Sequence, residues 1–223
     1  MSTRLERRAP LTRDRVVEAA VDLADRDGIE AVSMRRLGQE LGIEAMSLYT
    51  HVRSKDDLLD AMVDRVVGEV PMPAGGGDWQ TTLRGMILAS RGALIRHRWA
   101  PAILESRTDP GPATLRYVDA LIGILRDSGF SLDVTHHALH VLGSRMFGFS
   151  HDLFDDSPEL SPEAAQALAS QFAATLPNVA AIALAASHDG GLGPCDDDVE
   201  FTFALDLILD GLARQRGQEP TGG

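Results

Sequence analysis

Hydrophobic residues recur three and four positions apart along the chain, while the alternation typical of strands is rare. This spacing predicts an all-α protein of about nine to ten helices. The first helix is expected to begin after Thr12, its N-cap, and to run to about Arg26, with Gly28 ending it. The second is expected to begin at the N-cap Ser33 and to end at Gly42.

The third predicted helix is short, about Ala45 to His51, with Leu48 facing inward. The fourth opens at Ser54, whose hydroxyl can cap it, with the carboxylate of Asp57 three residues on. A segment rich in Pro and Gly, residues 71–77, then interrupts the helical pattern.

Six later segments also have helical spacing. They are Trp79–His97, Pro101–Ser106, Pro112–Asp127, Ser131–Phe154, Ser161–Ala186 with a break at Pro177, and Val199–Arg216. We therefore predict a small helical domain over residues 1–53, a larger helical domain over 54–216 and a disordered tail over 217–223.

Charge is spread unevenly along the chain, whose net charge is −12. Residues 1–55 carry a net +1 and residues 56–223 a net −13, and Lys55 is the only lysine. The acidic part opposes non-specific binding to nucleic acid. A locally basic end can still bind phosphates, because salt screens charges beyond roughly 8–10 Å.

Composition excludes several other classes. The longest apolar runs, such as Val179–Ala186, are far shorter than the roughly 20 residues of a membrane span. The first ten residues lack the apolar core of a signal peptide, so we expect a cytoplasmic protein without a membrane partner. Cys195 is the only cysteine, which rules out an intrachain disulfide and a cysteine zinc cluster.

The segment from Gly28 to Lys55 has the arrangement that places a short helix in the major groove of DNA, which is about 12 Å wide. Arg35 and Arg36 are expected to face solvent on the second helix. The outward side chains expected on the third helix are Met46, Ser47, Thr50 and His51. An ordinary helical hairpin has the same geometry, so spacing alone leaves both interpretations open.

A set of residues in this segment matches a known pattern in order and without gaps: Gly28, Ile29, Glu30, Arg35, Leu37, Leu41, Gly42, Leu48, Tyr49, His51, Val52 and Lys55. With them the segment resembles the DNA-binding domain of the tetracycline-repressor family. The stretches DWQTTLRGMILASRGALIRHR and RDSGFSLDVTHHALHVLG resemble the regulatory domain of the tetracycline-repressor subgroup. The resemblance implies a homodimeric repressor that binds a palindromic double-stranded DNA operator and leaves it when a small molecule binds.

The resemblance also assigns roles within the segment. The family's phosphate contacts fall on Ser33, Tyr49 and Lys55. Its base-reading positions fall on Arg35, Ala45, Met46, Ser47 and His51. Ala45 and Met46 offer no useful hydrogen-bonding group, so we hypothesise that contacts to thymine methyl groups, together with Arg35, carry much of the sequence readout.

The chain departs from the tetracycline-repressor subgroup at several positions. Thr50 stands where the subgroup has an aromatic residue, and Leu104 stands where it has a metal-binding histidine. The segment VPMPA also lacks the histidine expected after the fourth helix. We therefore do not expect tetracycline or magnesium as ligands, and we assign no cofactor.

An effector pocket is expected between the fifth, seventh and eighth helices. Its candidate lining is Trp99, Leu104, Tyr117, Met146, Phe147 and Phe149, with Arg145 and His151 as polar anchors. These side chains, at helical spacing, suit an ordinary core equally well. The expected ligand is a largely apolar, drug-like or metabolite molecule.

The last helix has apolar residues on more than one side, which suggests one face for the core and one for a partner. The preferred dimer interface combines the Ser131–Phe154 and Val199–Arg216 helices, and a fully buried monomer helix is the alternative. His136 and His140 are four residues apart and could share a metal, but no third ligand lies nearby in sequence, so we assign no metal site.

Two other functions remain as alternatives. One is a DNA-binding regulator controlled by a protein partner, or without a small-molecule ligand. The other is a helical enzyme, which only scattered residues such as Ser150, His151 and Asp152 suggest. No nucleophile elbow, metal signature or phosphate loop accompanies them, so we do not expect an enzyme.

Overall fold

A computed structural model describes residues 10–73, 76–107, 109–147, 162–185 and 197–216. The chain divides into two compact units, Met1–Thr135 and His136–Gly223. Regular structure in the described ranges is entirely helical, which confirms the predicted all-α class. The predicted disordered tail lies outside them, and the division after residue 53 stays a prediction.

Eleven α-helices occur in the described residues, slightly more than predicted. Seven belong to the first unit: α1 Arg13–Asp27, α2 Met34–Leu41, α3 Ala45–Leu48, α4 Lys55–Gly68, α5 Trp79–Arg96, α6 Ala100–Ser106 and α7 Pro112–Asp127. The others are α8 Leu132–Phe147, which crosses the boundary between the units, α9 Pro162–Thr175, α10 Pro177–Ala185 and α11 Asp197–Arg216.

Side-chain caps fix where several helices begin. The side-chain oxygens of Thr12, Ser33, Ser54 and Asp78 accept the backbone N–H three residues on, at 3.3, 3.3, 3.1 and 2.9 Å. Each cap satisfies one of the N–H groups that the first turn of a helix leaves without a partner. The predicted starts of α1, α2, α4 and α5 are thereby confirmed.

The N-terminal helices share one apolar core. Val16 and Ala20 of α1, Leu37 of α2, Leu48 of α3 and Leu58 of α4 are completely buried. Burial of each leucine stabilises the fold by roughly 1.5–3 kcal/mol. Because α3 contributes a single buried side chain, Leu48 holds that short helix on the core.

Helix α3 is shorter than predicted. Its α-helical part ends at Leu48, and Tyr49, Thr50 and His51 continue as a turn. The N–H groups of these three residues bond to carbonyl oxygens three positions back, at 3.3, 3.3 and 2.9 Å. This tightening of the last turn is common at helix ends and could not be read from hydrophobic spacing.

One carboxylate of α4 holds the start of α7. Asp64 accepts the N–H groups of Ala113 and Thr114 at 3.1 and 2.9 Å, so a side chain of one helix caps another. Close approach of the two helices requires Gly111, since a Cβ there would lie 2.3 Å from Asp64 Cγ. The capped end is therefore fixed against α4.

In the second unit, α9 packs against α10, and the predicted break at Pro177 is confirmed. Helix α11 has two apolar stripes. One, formed by Phe201, Leu205 and Leu209, is buried. The other, formed by Val199, Phe203 and Leu207, is exposed.

Candidate nucleic-acid interface

The turn between α2 and α3 fixes the angle between them. Gly42 ends α2 in the left-handed conformation, with φ of 66°. The N–H of Ile43 bonds to the carbonyl of Gly38 at 2.9 Å, and a Cβ at Gly38 would lie 2.9 Å from the carbonyl oxygen of Ile43. Gly38 was not among the predicted residues of this site, although a glycine inside an amphipathic helix is itself a signal of close packing.

The side chains predicted to meet DNA differ in exposure. Met46 is 74% exposed and Tyr49 46% exposed. The other exposed members of the set are Ser33, Arg35, Arg36, Ser47, Thr50 and Lys55. Ala45 and His51 are half-buried, so their contact surface is smaller.

Two hydroxyls in this set already have internal partners. Ser33 Oγ accepts the N–H of Arg36, as the cap of α2. Thr50 Oγ1 donates to the carbonyl of Ser47 at 2.7 Å. A hydroxyl that accepts can still donate, so Ser33 retains a proton for a phosphate, whereas the proton of Thr50 is committed to the turn.

Ion pairs hold α2 against the end of α1. The guanidinium of Arg36 pairs with Asp27, and that of Arg26 pairs with Glu40 at 2.6 Å. Arg36 is therefore exposed, as predicted, but its guanidinium is already paired with Asp27. Its contact with DNA stays a prediction.

Arg13 joins the first helix to the end of the α3 turn. Its Nη1 donates to the carbonyl of His51 at 2.9 Å, and its two terminal nitrogens bond to both carboxylate oxygens of Asp57 at 2.9 and 2.8 Å. The N–H of Arg53 also bonds to Asp57, at 2.7 Å. These bonds fix the α3 turn relative to α1 and α4.

The charge of Asp57 is stabilised by this arrangement. The hydrogen bond from Arg13 lowers the pKa of Asp57 well below its ordinary range against the opposing effect of burial, helped by the N–H of Arg53 and by both arginine charges. Asp57 was predicted only as part of the cap of α4. Arg13 was not among the predicted residues, because its partners lie 38 and 44 residues away in sequence.

Lys55 is the first residue of α4 and is exposed. The N–H groups of a helical first turn and an ammonium group both favour phosphate. Asp57 lies in the same turn, but its charge is compensated by Arg13. The start of α4 can therefore face a phosphate despite its two aspartates.

The predicted pocket residues lie in several different surroundings. Trp99 is buried, and its indole N–H donates to Asp25 at 2.7 Å. Tyr117 is buried and bonds through its hydroxyl to Ser90 at 2.7 Å, and burial raises its pKa. These two are bonded within the core of the first unit, and a role in ligand binding stays a prediction for both.

Leu104 lines a cavity of about 240 Å³ between α4, α6 and α7. The other lining residues are Asp60, Val63, Arg107, Asp109, Pro110, Gly111 and Thr114. Arg107 lies at its edge, paired with Asp56 at 3.1 Å and with Asp60 at 3.2 Å. The cavity is smaller than the roughly 300–1,000 Å³ of drug-sized pockets, so its volume suits a small molecule or one end of a larger one.

The remaining pocket candidates lie at the end of α8 or after it. Arg145, Met146 and Phe147 form the last residues of α8, but their side chains lie outside the description. Phe149 and His151 lie outside the described residues altogether. The pocket expected between the fifth, seventh and eighth helices stays a prediction.

The histidines of α8 are close together and exposed. The ring centroids of His136 and His140 are 4.6 Å apart. In the part of the chain that the structure describes, no group of three or more histidine, cysteine or carboxylate side chains is placed to hold a metal ion. Among the same residues, no helix is long and apolar enough to cross a membrane.

Both parts of the chain match known families. Residues 16–62 match the family described as "Bacterial regulatory proteins, tetR family", and residues 70–216 match "Tetracyclin repressor-like, C-terminal domain". The chain is 33% identical over 220 residues to the HTH-type transcriptional repressor DrrR1 of Streptomyces coeruleorubidus, covering 93% of this chain and 81% of that one. It is 28% identical over 204 residues to the class A tetracycline repressor of transposon 1721 from Escherichia coli, covering 90% of each.

Solved structures agree with these matches. ActR from Streptomyces coelicolor, in complex with actinorhodin, has a TM-score of 0.74 at 29% identity, covering 94% of this chain and 100% of that one. Similarity thus extends over the helix-turn-helix and the regulatory part together, which excludes a chance resemblance of the short motif. The chain therefore belongs to the tetracycline-repressor family of DNA-binding transcriptional regulators.

Proposed function

We propose that this protein is a repressor that binds a palindromic operator as a homodimer and leaves it when a small molecule binds. The observation that carries the proposal is full-length similarity to ActR, whose complex with actinorhodin shows a family member holding a small molecule. The 240 Å³ cavity beside α4, lined partly by Val63, Leu104 and Pro110, supports an effector with an apolar portion.

Operator recognition is proposed to depend on the exposed surface around α3. Arg35 and Met46 supply the two kinds of contact that distinguish bases in the major groove, a guanidinium donor and an apolar surface for thymine methyl groups. Tyr49 and Lys55 contact phosphates on either side. Such contacts are few, and the body of the protein is acidic, so tight binding requires two copies of this surface at fixed spacing.

The exposed stripe of α11 is proposed to supply part of the dimer interface. Phe203 is 62% exposed, with Val199 and Leu207 one turn to either side. An exposed apolar stripe on a helix whose opposite stripe is already buried is typical of an association surface. The predicted partner helix, from Ser131 to Phe154, is described as far as Phe147.

A gel-shift assay with the duplex upstream of the protein's own gene tests repression. We expect a retarded complex that survives excess unrelated DNA, and release by actinorhodin or a related aromatic compound. Equal binding to unrelated DNA would refute operator recognition. Specific binding that neither actinorhodin nor a related aromatic compound reverses would instead favour control by a protein partner.

Sedimentation of a stripe variant tests the dimer separately. Phe203→Glu is expected to shift the protein to monomer and to abolish the retarded complex, because a charge replaces apolar area at the interface. Arg216→Glu changes the charge at an exposed position of the same helix and is expected to remain dimeric. A dimeric Phe203→Glu variant would exclude this stripe from the interface.

A further inference from the structure

A carboxylate of α1 binds the turn between α5 and α6. Asp25 Oδ1 accepts the indole N–H of Trp99 at 2.7 Å, and both its oxygens lie 2.9 Å from His97 Nδ1. Trp99 is 7% exposed and His97 8% exposed, so water cannot readily replace these partners. Breaking the contact would leave the indole N–H of Trp99 and the imidazole of His97 without this partner in a buried place. The free-energy cost of such a loss is larger than the contribution of an ordinary surface hydrogen bond.

His97, which makes this contact, also forms the turn between α5 and α6. The N–H of His97 closes α5 by bonding to Ala93 at 3.0 Å, and its carbonyl accepts the N–H of Ala100 at 2.8 Å where α6 begins. Its backbone angles, φ −111° and ψ 68°, are not helical. The direction in which the chain leaves α5 is therefore fixed by the same residue that binds α1.

A third helix end meets at the same imidazole. His97 Nε2 lies 3.3 Å from Oε2 of Glu69, the residue directly after α4, and Arg96 bonds to the same oxygen at 2.9 Å. Burial of Glu69 disfavours its charge, but the bonds from Arg96 and His97 outweigh burial and lower its pKa. The ends of α1, α4 and α5 are thus tied at one point.

The two residues that follow Asp25 bind the helix that precedes the DNA-reading turn. Arg26 pairs with Glu40 of α2, and Asp27 pairs with Arg36 of α2. Three consecutive residues of α1 therefore contact the α5–α6 turn on one side and α2 on the other. These contacts form a continuous connection from the α5–α6 turn through one rigid turn of α1 to α2, the kind of physical network that can carry coupling.

We propose that Asp25, His97 and Trp99 form a positioning contact that couples the α5–α6 turn to DNA binding. These residues act through α2 and do not themselves bind DNA. The proposal requires only the DNA-binding activity of the protein and is independent of which effector it binds.

Tryptophan fluorescence tests the coupling directly, because Trp79 and Trp99 are the only two tryptophans. In the Trp79→Phe variant, all tryptophan emission comes from Trp99, whose indole is bonded to Asp25. We expect the duplex upstream of the gene, or a duplex selected from a random library, to change the emission of this variant. Unchanged emission at saturating DNA would overturn the proposal.

The Trp99→Phe variant is the matched control for the fluorescence experiment. Its remaining indole, Trp79, packs edge-on against Phe130 with ring centroids 4.9 Å apart. We expect its emission to stay constant when DNA is added. An equal change in both variants would indicate a general effect of DNA and would also overturn the proposal.

Two matched substitutions on α1 test the positioning role of Asp25 through the affinity for DNA. Asp25→Asn and Asp22→Asn each remove one negative charge from the same helix, so long-range attraction to phosphate changes alike. We expect Asp25→Asn to weaken DNA binding about tenfold, the size of one lost charged hydrogen bond, and to suppress the Trp99 response. Asp22→Asn is expected to stay within about twofold of the parent.

Equal affinities of these two variants would refute the positioning role. Circular dichroism checks that Asp25→Asn is folded. If it is not, Trp99→Phe replaces it in the affinity measurement, since phenylalanine keeps an aromatic ring but lacks the N–H donor and the five-membered ring that carries it. Parent-like affinity of a folded Trp99→Phe variant would then count against the proposal.

Discussion

Replacing Asp57 with asparagine removes the carboxylate that joins the starts of α1 and α4. Asp57 accepts two bonds from Arg13 and one from the N–H of Arg53, and its side chain is 12% exposed. Hydrogen bonds to charged groups contribute roughly 1.5–3 kcal/mol, but Arg13 is 44% exposed and water competes for it. We therefore expect the free energy of unfolding to fall by about 2 kcal/mol.

The loss should depend on pH in a defined direction. Because the pKa of Asp57 is lowered in the folded protein, its stabilisation is complete above the unfolded value of about 3.9 and is lost as the pH falls through the folded value. The difference in stability between parent and variant should be constant from about pH 7 to 5 and narrow below about pH 4. Urea unfolding followed by circular dichroism measures this difference.

Asp56→Asn provides the control for Asp57→Asn. Asp56 is the preceding residue, its side chain is 78% exposed, and it makes one ion pair with Arg107. We expect Asp56→Asn to lower the free energy of unfolding by less than about 1 kcal/mol, because exposed ion pairs contribute little. Equal losses for the two variants, or an Asp57→Asn loss that stays constant down to about pH 3, would refute the account of Asp57.

Three further predictions concern DNA binding and packing. Lys55→Ala should reduce the slope of log affinity against log salt by about one unit, whereas Lys55→Arg should preserve it; identical slopes would remove Lys55 from the phosphate contacts. Gly111→Ala should lower the melting temperature, with a loss of about 2 kcal/mol, because its Cβ collides with Asp64, whereas Gly123→Ala, with open space around it, should be neutral or slightly stabilising. Met46→Ala should relax selection at a thymine position in a random duplex library, and an unchanged consensus would contradict the readout proposed for it.

Local rules predicted much of the helical architecture. The caps at Thr12, Ser33 and Ser54 could be recognised because a hydroxyl and the N–H it accepts lie three residues apart. The DNA-binding domain of the family could be identified from a short ordered set of residues around α2 and α3, and the regulatory domain from two later stretches of sequence. Such signals are contained within a few turns of the chain.

Long-range polar contacts could not be predicted in the same way. Nothing near Trp99 in sequence predicts that its indole N–H bonds to Asp25, 74 residues away. Arg13 drew no attention, since nothing near it in sequence reveals that His51 and Asp57 lie beside it. The partners of a polar side chain depend on which residues the fold brings close to it, and hydrophobic periodicity does not predict this.

Exposure of Met46 makes the proposed base-reading surface sensitive to oxidants. A sulfur in solvent is oxidised to the sulfoxide more readily than one in the core, and Met62 and Met86 are buried. The sulfoxide is polar and chiral, so it would replace an apolar contact to a thymine methyl group by a hydrogen-bond acceptor. Peroxide would then weaken operator selection without unfolding the protein, and a methionine sulfoxide reductase would restore it.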